Sequence, residues 1–157
     1  MFKKMRRQDR EVSKDIAIKI LEKAEYGVLS TIGENGYPYG VPIHHVCVDG
    51  KIYFHCAMKG HKLDNIKYND KVSFCVVGQT EVIPDDFSTD YESVVVFGRI
   101  FEVFDDVKHK VLLSIIEKYS KDFISEGLDY IAKDNKVTKV MCIDIEHITG
   151  KVRKQGE

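Results

Sequence analysis

This sequence predicts a mainly β protein, a small antiparallel barrel with helices at its periphery. Three observations lead there. Six runs rich in β-branched and aromatic residues punctuate the chain. Asn35-Gly36 and Asp49-Gly50 connect the first three runs with two-residue hairpin chemistry. Helical periodicity is confined to the start, to the segment after the third run and to the segment before the last. Strands joined by hairpins favour an antiparallel sheet, since parallel neighbours need a long crossover. Closing such a sheet into a barrel also disposes of its edges.

The 157 residues, 43% apolar, suffice for one domain with a core and are too few for two, so a single domain over 1–157 is expected. A net charge of -1 and the absence of Trp give no pull toward nucleic acid. The basic N-terminus MFKKMRRQDREVSK is followed by no apolar run, and no stretch of about 18 apolar residues occurs. A cytoplasmic protein without membrane or nucleic-acid partners is expected. Cys47, Cys56, Cys75 and Cys142 lie far apart in apolar runs without a CxxC pair, which suits reduced structural thiols better than zinc or disulfides.

Ser13 is a candidate N-cap, and Ile16, Ala17, Ile20, Leu21 and Ala24 recur at helical spacing, predicting a helix over 14–25 that Gly27 closes. Strands follow over 28–32, 39–48 and 52–56. The Asp49-Gly50 turn sets Val48 against Lys51 and, counting back, His44 opposite His55. Ile43, His45, Cys47, Ile52, Phe54 and Cys56 then share the face expected to point into the barrel, with His45 a core histidine. Pro42 cannot donate to a ladder and marks an edge. After a helix ending near Asn69, strands are expected over 72–77 and 94–104, the second with a bulge at Gly98, separated by a polar loop over 79–90. Asp105 or Asp106 caps a further helix, 123–132 adds a short one, and the strand 138–147 leads into a basic tail from about residue 150.

The most informative stretch is Ile52 to Tyr68, IYFHCAMKGHKLDNIKY, where a strand runs into a helix. Lys59, His61 and Lys62 crowd the helix start, whose free N–H groups already carry positive potential. Each cation there costs on the order of 0.3–1 kcal/mol. A bound anion reverses that penalty, and Gly60 lets backbone approach it closely. The alternative is that these side chains extend into water.

Gly27 to Ile43 (GVLSTIGENGYPYGVPI), Ile52 to Ile66 (IYFHCAMKGHKLDNI) and Ser93 to Ile100 (SVVVFGRI), in that order, resemble the flavin-binding split-barrel proteins. More narrowly, the chain is similar to the pyridoxamine 5'-phosphate oxidase-related group that includes the Nim-type nitroimidazole-resistance proteins. The resemblance implies a homodimer of six-stranded antiparallel Greek-key split barrels with FMN in clefts between subunits. Basic residues and backbone after the third strand, here Gly60, His61 and Lys62, would hold the phosphate. The flavin ring would lie along Val41, Pro42, Ile43 and His44 and near Phe54 and Cys56, with His55 at its reactive edge. Phe97 and Arg99, on the partner's strand, would close the cleft. Arg99 pairing with a carboxylate and His55 bonding to backbone are the competing readings.

Two departures bear on function. Relatives commonly carry a basic residue in a YRSV segment where this chain has Tyr91-Glu92-Ser93-Val94, and the terminal Arg-Leu motif and Trp of authentic pyridoxamine phosphate oxidases are missing. Vitamin oxidation is therefore not expected. The expected chemistry is the flavin's, reduction of a small electron-poor compound such as a nitroaromatic, with His55 as proton donor or positioning group. The alternatives are a non-catalytic flavin store and a haem-binding barrel using His44 and His55 as ligands.

Overall fold

The computed structural model describes residues 2–154. Eight strands and four α-helices form, in order β1 (Glu11–Val12), α1 (Lys14–Lys23), β2 (Tyr26–Ile32), β3 (Pro38–His44), β4 (Val46–Val48), β5 (Lys51–Ala57), α2 (His61–Tyr68), β6 (Lys71–Ile83), β7 (Ser88–Val103), α3 (Asp105–Tyr119), α4 (Ile124–Asp134) and β8 (Thr138–Arg153). The sheet is antiparallel throughout, ordered β3-β2-β6-β7-β8-β5-β4, with β1 on β8.

The count of eight rather than six has a specific cause. The predicted strand over 39–48 changes neighbour at His45: β3 pairs with β2 from His44↔Tyr26 onward, and β4 pairs with β5 from Val46↔Tyr53. The two ends of the hydrogen-bonded sheet are thus consecutive in the chain, and the sheet curls into an open half-barrel joined through one residue. The other added strand is the short β1.

The register corrects a second expectation. Val48 does face Lys51, but His44 pairs with Tyr26 and His55 with Val140, so the two histidines are not opposite one another. The hairpin ladder stops at Val46, before the count reaches them.

The concave side holds the main core. Leu29, Ile52, Phe54, Phe74, Val76, Val94, Val96 and Ile143 are buried there with Ala17, Ile20 and Leu21 of α1, which plugs the half-barrel. Ser13 caps α1, its hydroxyl accepting from the Ile16 N–H at 3.4 Å. The helix ends at Lys23, and Gly27 lies inside β2, where a Cβ would meet the Phe74 ring at 2.4 Å. A second core forms where α3 and α4 cover the outer face of β4, β5 and β8 through Val46, Tyr53, Val111, Leu112, Ile131, Val140 and Cys142.

Three further boundaries differ from expectation. The polar stretch 79–90 is a β-ribbon turning at Pro84–Asp86, polar because both its faces meet water. The strand β8 continues through the basic segment to Arg153, pairing Lys151 with Ser93; residues 155–157 of the expected tail lie outside those described. The irregularity near Gly98 belongs to β8, where Glu146 is the extra residue between Phe97↔His147 and Gly98↔Ile145. Gly98 serves instead for close approach, since a Cβ would lie 2.2 Å from the Asp144 carbonyl. Asp105 and Asp106 occupy the first turn of α3 with no side-chain cap, favouring that end by charge.

His45 joins the sheet ends while fully buried, its Nε2 2.8 Å from the Leu21 carbonyl and its Nδ1 without a partner among the described residues. It is a core histidine, as expected, but half-satisfied. Burial pushes its pKa down to about 4 from 6.5. The folded state therefore holds His45 neutral where the unfolded chain takes up a proton, and stability falls as pH drops from about 6.5 toward 4, by at most about 1.4 kcal/mol per pH unit. Denaturant titrations between pH 4 and 7 should show this slope in the wild type and a shallower one in His45→Gln; equal slopes would assign the acid sensitivity to other groups.

Candidate functional site

The split at His45 leaves two edges open. Beyond Tyr53, β5 pairs only with β8, and β3 pairs only with β2, so Phe54 to Ala57 faces Val41 to His44 across a gap with no strand between them. The His45 end of this opening is fixed from α3. The Tyr119 hydroxyl sits between the carbonyls of Glu25 (2.6 Å) and His45 (2.7 Å) and accepts from the His45 N–H (3.0 Å). Lys118 donates to the carbonyls of Ala24 (2.8 Å) and His45 (2.9 Å). His44, exposed on the outer face, packs edge-on against Tyr119 at 4.8 Å.

Alternation sorts the predicted residues between faces. Val41, Ile43 and Cys56 point inward and pack on the main core, while Pro42, His44 and His55 point outward and are exposed. Phe54 is completely buried, so only its backbone is available to a ligand. His55 is exposed, yet the surrounding chain desolvates it and the charge of His44 adds to the effect, lowering its pKa below 6.5. It is therefore a neutral imidazole at pH 7, offering one donor and one acceptor. Burial raises the Cys56 thiol and pushes Cys47 up to about 12, so neither is a ready nucleophile.

At the end of β5 the chain turns through Gly60, whose φ of +145° is closed to residues with a side chain, into α2. No side chain caps α2. Around this bare helix start stand Lys59, His61 and Lys62. Some cations elsewhere are matched by carboxylates: Lys51 with Asp144, Lys139 with Glu102, Arg153 with Asp86 and Asp90, Lys154 with Glu92. Among the described residues no ion pair engages Lys59, His61 or Lys62. His61 has a ring contact only, with Tyr39 at 4.2 Å. Cations beside a helix start run against the helix dipole, and an anion bound there would reverse that penalty.

Phe97 and Arg99 do not join this group. They lie on the outer face of β7, separated from β5 by β8. Arg99 is held by Asp70 (2.8 Å) and Glu146 (3.0 Å), the carboxylate pairing that competed with a phosphate role. A void of about 610 Å³ beside Tyr91 and Glu92 has its cations, Arg153 and Lys154, already paired with carboxylates. Among the described residues no group of three or more His, Cys, Asp or Glu side chains could hold a metal ion, and no helix is long and apolar enough to cross a membrane.

A family model described as pyridoxamine 5'-phosphate oxidase matches residues 13–152. The chain belongs to that family. Solved structures of the same fold include a Bacteroides thetaiotaomicron protein assigned to 5-nitroimidazole antibiotic resistance, with 21% identity, 90% of this chain and 86% of that one covered and a TM-score of 0.74. A FAD-binding protein from Mesorhizobium loti is 25% identical, with 90% and 93% covered and a TM-score of 0.63. A FAD and haem binding protein from Mycobacterium smegmatis is 16% identical, with 92% and 74% covered and a TM-score of 0.78. The comparison with curated protein sequences gave no significant match.

As a member of the pyridoxamine 5'-phosphate oxidase family, the chain keeps its sequence-predicted residues on β3, β5 and the start of α2 around one opening. Sequence reasoning missed Lys118 and Tyr119, which hold that opening from 70 residues further along the chain, and Tyr39, which supports His61. The Tyr-Pro-Tyr-Gly run before Pro42 was a signal for Tyr39; nothing local marks Tyr119.

Proposed function

We propose that this protein is a flavin-dependent oxidoreductase that binds the FMN moiety at the β3/β5 opening and reduces a small electron-poor compound, nitroaromatics included. The observation that carries the reading is the unpartnered cation group at the uncapped start of α2, next to two unpaired strand edges. A flavin phosphate meets those cations and free N–H groups, and the edges offer backbone donors and acceptors to a planar polar ring. Family membership supports the same cofactor class, as do relatives described as FAD-binding. The flavin supplies two-electron transfer at its ring.

In this reading Lys62 and His61 bind the phosphate, while the inward Val41, Ile43 and Cys56 keep water away from the ring's inner side. Neutral His55 orients the substrate by a hydrogen bond rather than acting as a charged acid. Arg99, committed to Asp70 and Glu146, leaves the phosphate to the α2 start. A cytoplasmic setting accords with four free cysteines. A homodimer accords with the outer face of β7, where Phe97 and Phe101 are 39% and 46% exposed beside Val77 at 60%; the partner's β7 would then cover the opening.

Sedimentation of the flavin-bound protein should give a dimer, and a flavin-bound 18.0 kDa monomer would remove the partner from the site. Lys62→Ala should weaken FMN by about ten- to a hundredfold, the range of a charge-assisted bond, and leave riboflavin nearly unchanged. Melting temperature should hold or rise slightly, since a cation leaves a helix start. Equal losses for the two ligands would move the phosphate elsewhere. His55→Ala should keep flavin bound while slowing anaerobic reoxidation of the photoreduced protein by a nitroimidazole. Parallel loss of flavin would make His55 a binding residue, and no reoxidation even in the wild type would favour a flavin store.

A further inference from the structure

On the outer face of the sheet, two aromatic rings of β7 and β8 carry a third. Phe97 and His147 are cross-strand partners, their ring centroids 6.3 Å apart and their planes within 21° of parallel. The Phe2 ring lies flat against both, 4.6 Å from His147 with planes 6° apart and 5.4 Å from Phe97 at 18°. Side by side, Phe97 and His147 thus form a platform for one flat ring. Its occupant is loosely held, because Phe2 is 42% exposed and residues 3–7 behind it belong to no helix or strand.

Next to the platform is a cavity of about 330 Å³ lined by Phe2, Phe97, Ile32, Ser30, Ser73 and Lys71. Sites for small ligands begin at about 300 Å³, so this one suits a single-ring compound. Ser30 is opposite Ser73, Ser73 opposite Phe97 and Phe97 opposite His147, which sets two hydroxyl residues and the platform in one row across four strands. Lys71 stands two residues along β6, and among the described residues no ion pair engages it. Arg99, opposite Lys71, is already held by Asp70 and Glu146. Lys71 is therefore available to an anion.

Ring faces carry negative quadrupole charge, which favours stacking by a ring depleted of electrons. An ammonium group flanked by hydroxyls supplies donors for a carboxylate. In the proposed dimer the outer face of β7 lies over the partner's opening, so a ring seated on the platform faces the flavin held there.

We propose that the substrate is a flat aromatic acid, its ring stacked on Phe97 and His147 in the place Phe2 fills and its carboxylate on Lys71, an assignment that rests on the flavin-bound dimer proposed above. Phe2 is then a competitor built into the chain rather than a wall of the site.

The test is titration of the full-length protein, with and without FMN, with 4-nitrobenzoate and with nitrobenzene, in the wild type, Phe2→Ala, His147→Ala and Lys71→Gln. Phe2→Ala should tighten both ligands by roughly two- to tenfold, the scale of an aromatic pair, a gain that misfolding does not produce. His147→Ala should weaken both by a similar factor. Lys71→Gln should weaken 4-nitrobenzoate by about tenfold, the low end for a charge-assisted bond, and leave nitrobenzene unchanged. Weaker or equal binding in Phe2→Ala overturns the competitor role, and equal losses of the two ligands in Lys71→Gln overturn the carboxylate contact. Protein that shows the expected pattern yet takes up no FMN keeps the aromatic-acid site and loses its role in flavin chemistry. FMN-loaded protein whose affinity for 4-nitrobenzoate is indifferent to all three substitutions overturns the site and leaves the flavin reading standing.

Discussion

The change of neighbour at His45 is the constraint on which the rest of the structure depends. A continuous strand over Pro38 to Val48 would have zipped onto β5 along its whole length and shut the sheet. Instead β3 is committed to β2 and β4 to β5, and the peptide between them is held from outside by Tyr119 and Lys118 and from inside by the bond of His45 to Leu21. Those bonds satisfy backbone groups that a kink at a buried position would otherwise leave without partners, an omission costing about 1–3 kcal/mol per group. The opening between β3 and β5 follows from this arrangement.

Charge at the start of α2 runs against the dipole of the helix. Most cations the structure places on strands answer a nearby carboxylate, and such exposed pairs contribute little to stability. The group at the start of α2 is of another kind, because its cations lie where the helix itself is positive and, among the described residues, no ion pair engages them. Asp64 lies in the first turn of α2, yet among the described residues no ion pair joins it to those cations. In the proposed function, the adjacency of those cations to the unpaired strand edges suits a molecule with a phosphate at one end and a flat polar ring at the other.

Much of the fold was legible in the residues themselves. The six β-rich runs, the two-residue turn at Asp49-Gly50, the Ser13 cap and the inward face of Ile52, Phe54 and His45 follow from local rules of period, turn chemistry and capping, whereas the Asn35-Gly36 turn sits in a five-residue loop between Ile32 and Pro38. The places where local reading failed share a cause. Register counted back from Asp49-Gly50 assumes that a ladder continues, but a ladder ends when a competing partner binds the strand better, and β2 is distant from β5 in the chain. The ribbon over 79–90 reads as a loop because neither face is buried, leaving no alternation to detect.

The sequence by itself determined the class of fold, most of the elements and the cluster of basic residues at the start of α2, because periodicity, turn residues and charge at a helix start are local properties. It could not show that His44 and His55 pair with different strands, that Arg99 is already neutralised by Asp70 and Glu146, or that Tyr119 and Lys118 hold the opening. Those outcomes depend on which distant segments come together, and the free energy of a long-range contact is settled by packing of the whole chain rather than by the residues flanking it.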